Sequence, residues 1–249
     1  MDKAIMGETA QMEGKDPSGP MVDTVGLTKR YGNRTALHDV TLSIPQGRIV
    51  GLMGPNGSGK STLIKILTGV MSGYEGTARI NGRTPGPYTK SIVSYLPDRL
   101  SFGRWMRVRD TVAYYSDFYA DFDRTKAAEL LARLHLDPAA QLSQLSKGGC
   151  EKVQLVLTMS RTARLYVLDE PIGGVDPATR DVVLDTILTQ YCESSTMLIS
   201  THIIQDVERI FNSVIFLREG EVILYDEVDA VRERCRKSIY DLFREVFKC

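Results

Sequence analysis

Gly54-Pro55-Asn56-Gly57-Ser58-Gly59-Lys60-Ser61-Thr62 lies between two apolar stretches of different period. Residues 48–53 form a short continuous apolar run that suits a buried strand. Residues 61–70 carry Leu63, Ile64, Leu67 and Val70 at helical spacing. Gly54-x-x-x-x-Gly59-Lys60-Ser61 has the spacing of a phosphate-cradling loop. Its glycines let successive backbone N–H groups turn toward one anion. The helix that follows points the positive end of its dipole at the same place. Lys60 supplies a mobile full charge for the β- and γ-phosphates of a nucleotide, and Ser61 a hydroxyl for Mg²⁺. At average residue usage such spacing arises by accident in roughly one chain of this length per hundred. The strand before it and the helix after it argue against an accident, because the chemistry requires both.

A second apolar strand ends in acids: Arg164-Leu165-Tyr166-Val167-Leu168-Asp169-Glu170-Pro171. In an open parallel sheet, ligands sit at the carboxyl ends of the strands, which would bring Asp169 and Glu170 near the glycine-rich loop. Asp169 suits the Mg²⁺ shell, and Glu170 suits orienting and polarising an attacking water. Taken alone, an acidic pair at a strand end facing solvent is just as ordinary.

Further out, residues 22–27 and 35–44 read as strands flanking the turn-forming Tyr31-Gly32-Asn33. Residues 165–168, 197–200 and 214–217 read as short buried strands, with helical patterns at 178–191 and 203–211 between them and a further edge strand at 221–225. This alternation predicts a mostly parallel sheet covered by helices on both faces. Residues 108–119 and 124–136 read as helices. Asp123 caps the second, and Ala127, Leu130, Leu131 and Leu134 form its stripe. The expected division is a polar leader at 1–20, an α/β unit at 21–225 with a helical insertion at about 101–149, and two terminal helices within 226–249.

Composition limits the function classes. The 249 residues are 43% hydrophobic and 25% charged, with a formal net charge of zero. No bulk attraction to nucleic acid or anionic lipid follows. No apolar run approaches the roughly 18 residues of a membrane helix. Cys150, Cys192, Cys235 and Cys249 are scattered, without zinc spacing. His38 and His135 lack ligand-like neighbours, and the arginines at 99, 104, 107 and 109 read as a solvated face. Phe102 and Trp105 suit either a core position or a docking patch on the surface.

With both motifs placed, Leu145-Ser146-Lys147-Gly148-Gly149 just before the acidic strand resembles the Leu-Ser-Gly-Gly-Gln signature of ATP-binding cassette (ABC) proteins. Tyr31, Asp176 and Ser200-Thr201-His202 fall in the family's order, and the resemblance spans roughly 21–225. It implies a P-loop NTPase core of RecA-like α/β class, with an N-terminal antiparallel β subdomain and an inserted helical subdomain. It implies that Tyr31 stacks on adenine and that residues 54–62 hold ATP. Glu170 acts as base with His202 holding the γ-phosphate and water, and Asp176 sits in a loop at the dimer interface. It also implies a head-to-tail dimer in which Ser146, Lys147, Gly148 and Gly149 close the ATP site of a second subunit. Lys147 and Gly149 depart from the usual signature. The lysine resembles the bacterial branch that pairs with a separately encoded, export-type membrane permease. Asp98 stands where the family usually has a glutamine near the metal, and a carboxylate there still reaches Mg²⁺ through water. Gly173 and Gly174 replace a more usual small polar start to the Asp176 loop. The resulting expectation is an ATPase subunit with ATP and Mg²⁺, on the cytoplasmic face of a membrane and without a nucleic-acid partner. The rival expectation is a soluble cassette ATPase acting on translation or DNA.

Overall fold

A computed structural model of the chain describes residues 19–98 and 102–248. Nearly all of the polar leader, together with Arg99 and Cys249, lies outside the described residues.

Two sheets build the molecule. β1 (Val22–Tyr31), β2 (Arg34–Ile44) and β4 (Glu75–Ile80) form an antiparallel sheet in the order β2-β1-β4. Six strands form the second sheet: β5 (Val93–Leu96), β6 (Leu165–Asp169), β7 (Thr196–Thr201), β3 (Ile49–Met53), β8 (Ser213–Arg218) and β9 (Glu221–Glu227), in that spatial order. All its pairings are parallel except β8 with β9, which places the expected edge strand at an edge.

Strand alternation divides the core into two layers. Val50, Leu52, Val167, Leu198 and Ile215 face α1 (Lys60–Leu67) and the antiparallel sheet. Met53, Leu168, Ile199 and Phe216 face the opposite layer, built from α5 (Lys147–Met159), α6 (Pro177–Gln190) and the two terminal helices α8 (Val228–Cys235) and α9 (Ile239–Phe247). This is the period-2 geometry of strands. Each Leu, Ile or Phe so buried contributes about 1.5–3 kcal/mol. Both faces of the sheet are covered, so β3, β6 and β7 are buried throughout, as their unbroken apolar runs require.

α3 (Val108–Phe118) and α4 (Arg124–Arg133) precede α5. Asp123 Oδ1 accepts from the N–H groups of Thr125 and Lys126, so the expected cap is present. Ala127, Leu130, Leu131 and Leu134 are all buried. Arg161, 2% exposed, ties this helical region to the sheet. It donates to both carboxylate oxygens of Asp121 and to the carbonyls of Ser91 and Val93, and it lies 3.8 Å from the Tyr119 ring centroid.

Several local expectations are corrected. Val70 is 62% exposed and lies beyond α1, whose helix stops when Gly69 adopts φ 68°. The sequence assigns no element to residues 93–96, yet they form the edge strand β5; four residues just ahead of a proline are too few for a clear alternation. β4 and α2 (Pro87–Ile92) carry no sequence signal strong enough to have been read. The helix expected at 203–211 is one turn, α7 (Ile204–Val207), followed by a 3₁₀ turn.

Candidate functional site

The register of the large sheet assembles the site. Met53 pairs with Thr201, and Asp169 pairs with Ser200. The chain leaves β3, β6 and β7 at the same edge, so the glycine-rich loop, Glu170 and His202 emerge side by side. They surround a cleft of about 600 Å³.

The loop has its shape because two positions exclude a side chain. A Cβ on Gly54 would meet Ser58 Oγ at 2.6 Å. Gly59 has φ 111°, and a Cβ there would lie 2.5 Å from the Ala36 carbonyl oxygen. Gly59 is also the N-cap of α1 and offers no side-chain cap, so the helix begins with free amide donors. Lys60 is 7% exposed, and its Nζ donates to the carbonyls of Gly54 (2.7 Å) and Pro55 (3.2 Å). Burial lowers its pKa, and the nearby carboxylates of Glu170 and Asp169 oppose that shift. Asn56, Gly57, Gly59, Lys60, Ser61 and Thr62 line the cleft. Gly54, Pro55 and Ser58 shape the loop behind it, and the buried Ser58 hydroxyl has no hydrogen-bond partner.

Asp169 is 3% exposed, and its Oδ1 accepts from Ser200 Oγ at 2.6 Å. The Glu170 N–H donates to the same Ser200 hydroxyl (3.0 Å) and to the Ser200 carbonyl (3.1 Å). These bonds hold Glu170 at φ 55°, a left-handed conformation that disfavours any residue with a Cβ. Its Oε2 lies 2.7 Å from His202 Nδ1 and accepts from the His202 N–H. The carboxylate is thus aimed by two elements, β7 and the turn after it. Tyr31 and Arg34 are cross-strand partners at the β1–β2 turn, and both line the cleft. The Tyr31 ring is half exposed, with its hydroxyl 2.9 Å from Met71 Sδ.

The remaining expected site residues fall in two groups. Asp98 and Lys147 line the same cleft. Ser146, Gly148, Gly149 and Asp176 do not. Ser146 is the N-cap of α5 and accepts from the Gly149 N–H. Exposed Asp176 caps α6, and its bonds to Thr179 lower its pKa. Five cleft residues were not expected to line it: Arg34, Ala36 and Glu151, which the sequence did not single out, and Gly173 and Gly174, which stood out only as a departure in the Asp176 loop. Two signals existed, since Arg34 sits three residues after Tyr31 across a tight turn and Glu151 four after Lys147 on a helix. The bland expectations also have places. His38 pairs with Glu221 on the surface at 2.8 Å, and Arg104, Arg107 and Arg109 are exposed. Phe102 packs against the rings of Tyr114 and Tyr115, while Trp105 is 77% exposed.

Ser61 and Asp169 both line the cleft and offer hard oxygen donors. That set fits Mg²⁺, which takes one or two carboxylates and completes its shell with water and phosphate oxygens. Among the described residues no cluster of three or more His, Cys, Asp or Glu forms a metal cage. Among them, too, no helix is long and apolar enough to cross a membrane.

Residues 37–173 match the family described as ABC transporter. The ABC transporter ATP-binding protein YtrB of Bacillus subtilis is 31% identical over 216 residues, covering 86% of this chain and 74% of that protein. The lantibiotic transport ATP-binding protein SrtF of Streptococcus pyogenes is 29% identical over 211 residues, covering 84% of this chain and 92% of that one. A solved ATP-binding subunit of an ABC transporter superposes with a TM-score of 0.81 at 27% identity, covering 91% of this chain and 99% of its own.

Proposed function

Because this chain belongs to the ABC transporter family and is an ATPase of it, we propose that it drives a separately encoded membrane permease through an ATP-sandwich dimer. The observation that carries the catalytic part is the arrangement of buried Lys60 opposite the hydrogen-bonded pair Glu170–His202 across one cleft.

In this reading the triphosphate displaces the Gly54 and Pro55 carbonyls from Lys60 and accepts from the free amides at the start of α1. Tyr31 supports the base by stacking. Ser61 and Asp169 would hold Mg²⁺, with Asp98 close enough in the cleft to act through a water, and the bound ion would supply neutralisation of phosphate charge. Glu170 takes a proton from the attacking water, while His202 fixes the carboxylate's direction and contacts the γ-phosphate. The αL backbone at Glu170 and its bonds to Ser200 keep that carboxylate in place before substrate arrives.

The dimer reading rests on the signature motif at the start of α5: Ser146 and Gly148 line no part of their own chain's cleft, although Lys147 between them does, and in this proposal they close a second copy's γ-phosphate site. ATP then favours the closed pair and hydrolysis releases it. Residues 21–225 form the ATPase unit in this proposal, with the helical insertion at about 101–149 and residues 226–249 as an extension. Trp105, Tyr114 and Phe118 expose apolar surface on the insertion and form the docking surface for the permease. This places the chain at the cytoplasmic face of a membrane. Affinity capture of the full chain from detergent-solubilised membranes tests the reading. Recovery of an integral membrane protein is expected, and Trp105→Ala lowers the yield. Recovery of ribosomal or DNA-bound partners instead would favour a soluble cassette ATPase.

A further inference from the structure

Glu151 occupies the second turn of α5, one turn after Lys147, whose Nζ lies 3.6 Å from its Oε1. The side chain is only 20% exposed, and Oε2 is buried with no hydrogen-bond partner. Burial raises the carboxyl pKa, against the opposing pull of Lys147. A carboxylate held this way is costly, so its seat needs explaining.

The seat is Gly174. A Cβ built there would come within 2.6 Å of the Glu151 carboxyl carbon. Gly174 does not have a positive φ, so its backbone does not itself demand glycine. The missing side chain makes room for the carboxylate. A neighbouring contact has the same sense: a Cβ on Gly148 would lie 3.5 Å from the Gly174 carbonyl oxygen. The loop at 171–176 is anchored at one end through Glu170 to Ser200 and His202. At the other end Asp176 caps α6. Its middle is two glycines, and the side chain wedged against the second of them comes from the signature helix.

We infer that Glu151, seated on Gly174, couples the position of the signature helix to the loop that carries Glu170, and so is a positioning residue for hydrolysis. The inference rests on the reading of Glu170 as the base. When the start of α5 meets a second copy's nucleotide, the displacement reaches the middle of the hydrolytic loop through this wedge. One chain's Glu170 is thereby set by occupancy of the other chain's site.

A double-substitution cycle tests this in the full chain, reading kcat, KM, ATP Kd and melting temperature. In Gly174→Ala the methyl evicts the carboxylate, the free end of a flexible side chain, and leaves the backbone in place. Glu151→Ala removes the wedge directly. Each is expected to lower kcat about tenfold, with KM within about twofold and melting temperature near that of the parent. The double variant should match the singles, and Glu151→Gln, which refills the seat, should recover most of the loss. Independent effects that multiply to about a hundredfold would overturn the coupling. So would a parental kcat in Glu151→Ala, or losses confined to KM or melting temperature. Glu170→Gln run in parallel separates the two readings. If it keeps parental turnover, the assignment of Glu170 as the base fails, whatever the cycle shows.

Discussion

Glu170→Gln isolates proton transfer from placement. The backbone of residue 170 is held by two bonds from its N–H to Ser200, neither of which uses the side chain. An amide oxygen or nitrogen at the position of Oε2 still meets His202 Nδ1 at 2.7 Å, as acceptor or donor. The substitution therefore keeps the shape of the cleft and removes the ability to take a proton. A positioned general base contributes about 10²–10⁴ in rate. At 1.36 kcal/mol per decade this raises the barrier by about 2.7–5.4 kcal/mol. Nucleotide binding should survive, because Lys60 and the amides of α1 are untouched and one negative charge facing Lys60 is gone. The expected phenotype is ATP Kd equal to or below the parental value, turnover reduced at least a hundredfold, and an ATP-dependent dimer stable in size-exclusion chromatography. Single-turnover hydrolysis and equilibrium titration read the two quantities separately. Turnover within tenfold of the parent would refute Glu170 as the base, and a collapse of ATP affinity would refute the claim that its carboxylate is dispensable for binding.

The lowered Lys60 pKa predicts that ATP affinity falls as pH rises through it, since the phosphates need the charged form. Titrations from neutral to alkaline pH should show this fall, and Lys60→Arg should remove it. Stability of the ligand-free protein moves the other way from this group: the unfolded chain binds the proton more tightly, so deprotonation favours folding across the same window. Arg161→Met leaves the Asp121 carboxylate and the Ser91 and Val93 carbonyls without their donor. Breaking such a buried pair costs about 3–5 kcal/mol, a drop of roughly 6–20 °C in a thermal melt, and an unchanged midpoint would show that the site relaxes freely. Asp98→Gln removes one of four carboxylates crowding one cleft wall with Glu151, Asp169 and Glu170. ATP should bind more tightly by up to about fivefold, the scale of one unit charge about 4 Å away at water-like screening, with kcat preserved, whereas a collapse of kcat would show that the acid itself is required.

The sequence by itself determined the phosphate-loop spacing that lines the cleft. Gly54, Gly59 and Lys60 stand at the fixed spacing of a phosphate-cradling loop, and Gly59 also needs a positive φ, so the pattern could be read without the fold. The long, strongly patterned elements were legible for the same reason: β3, β6, β7 and the stripe of α4 carry their burial in their own periodicity. Short or edge elements were not, because β4, α2 and β5 owe their conformation to neighbours more than to local preference. Only the tertiary structure decided which acids act together. The register of β6 against β7 sets Glu170 on His202, although 32 residues separate them. Glu151, silent in the sequence beyond its spacing from Lys147, lines the cleft because α5 packs its carboxylate onto a glycine of the loop that follows the next strand, β6. Local spacing encodes a backbone conformation, whereas the pairing of distant side chains exists only once the sheet has fixed its register.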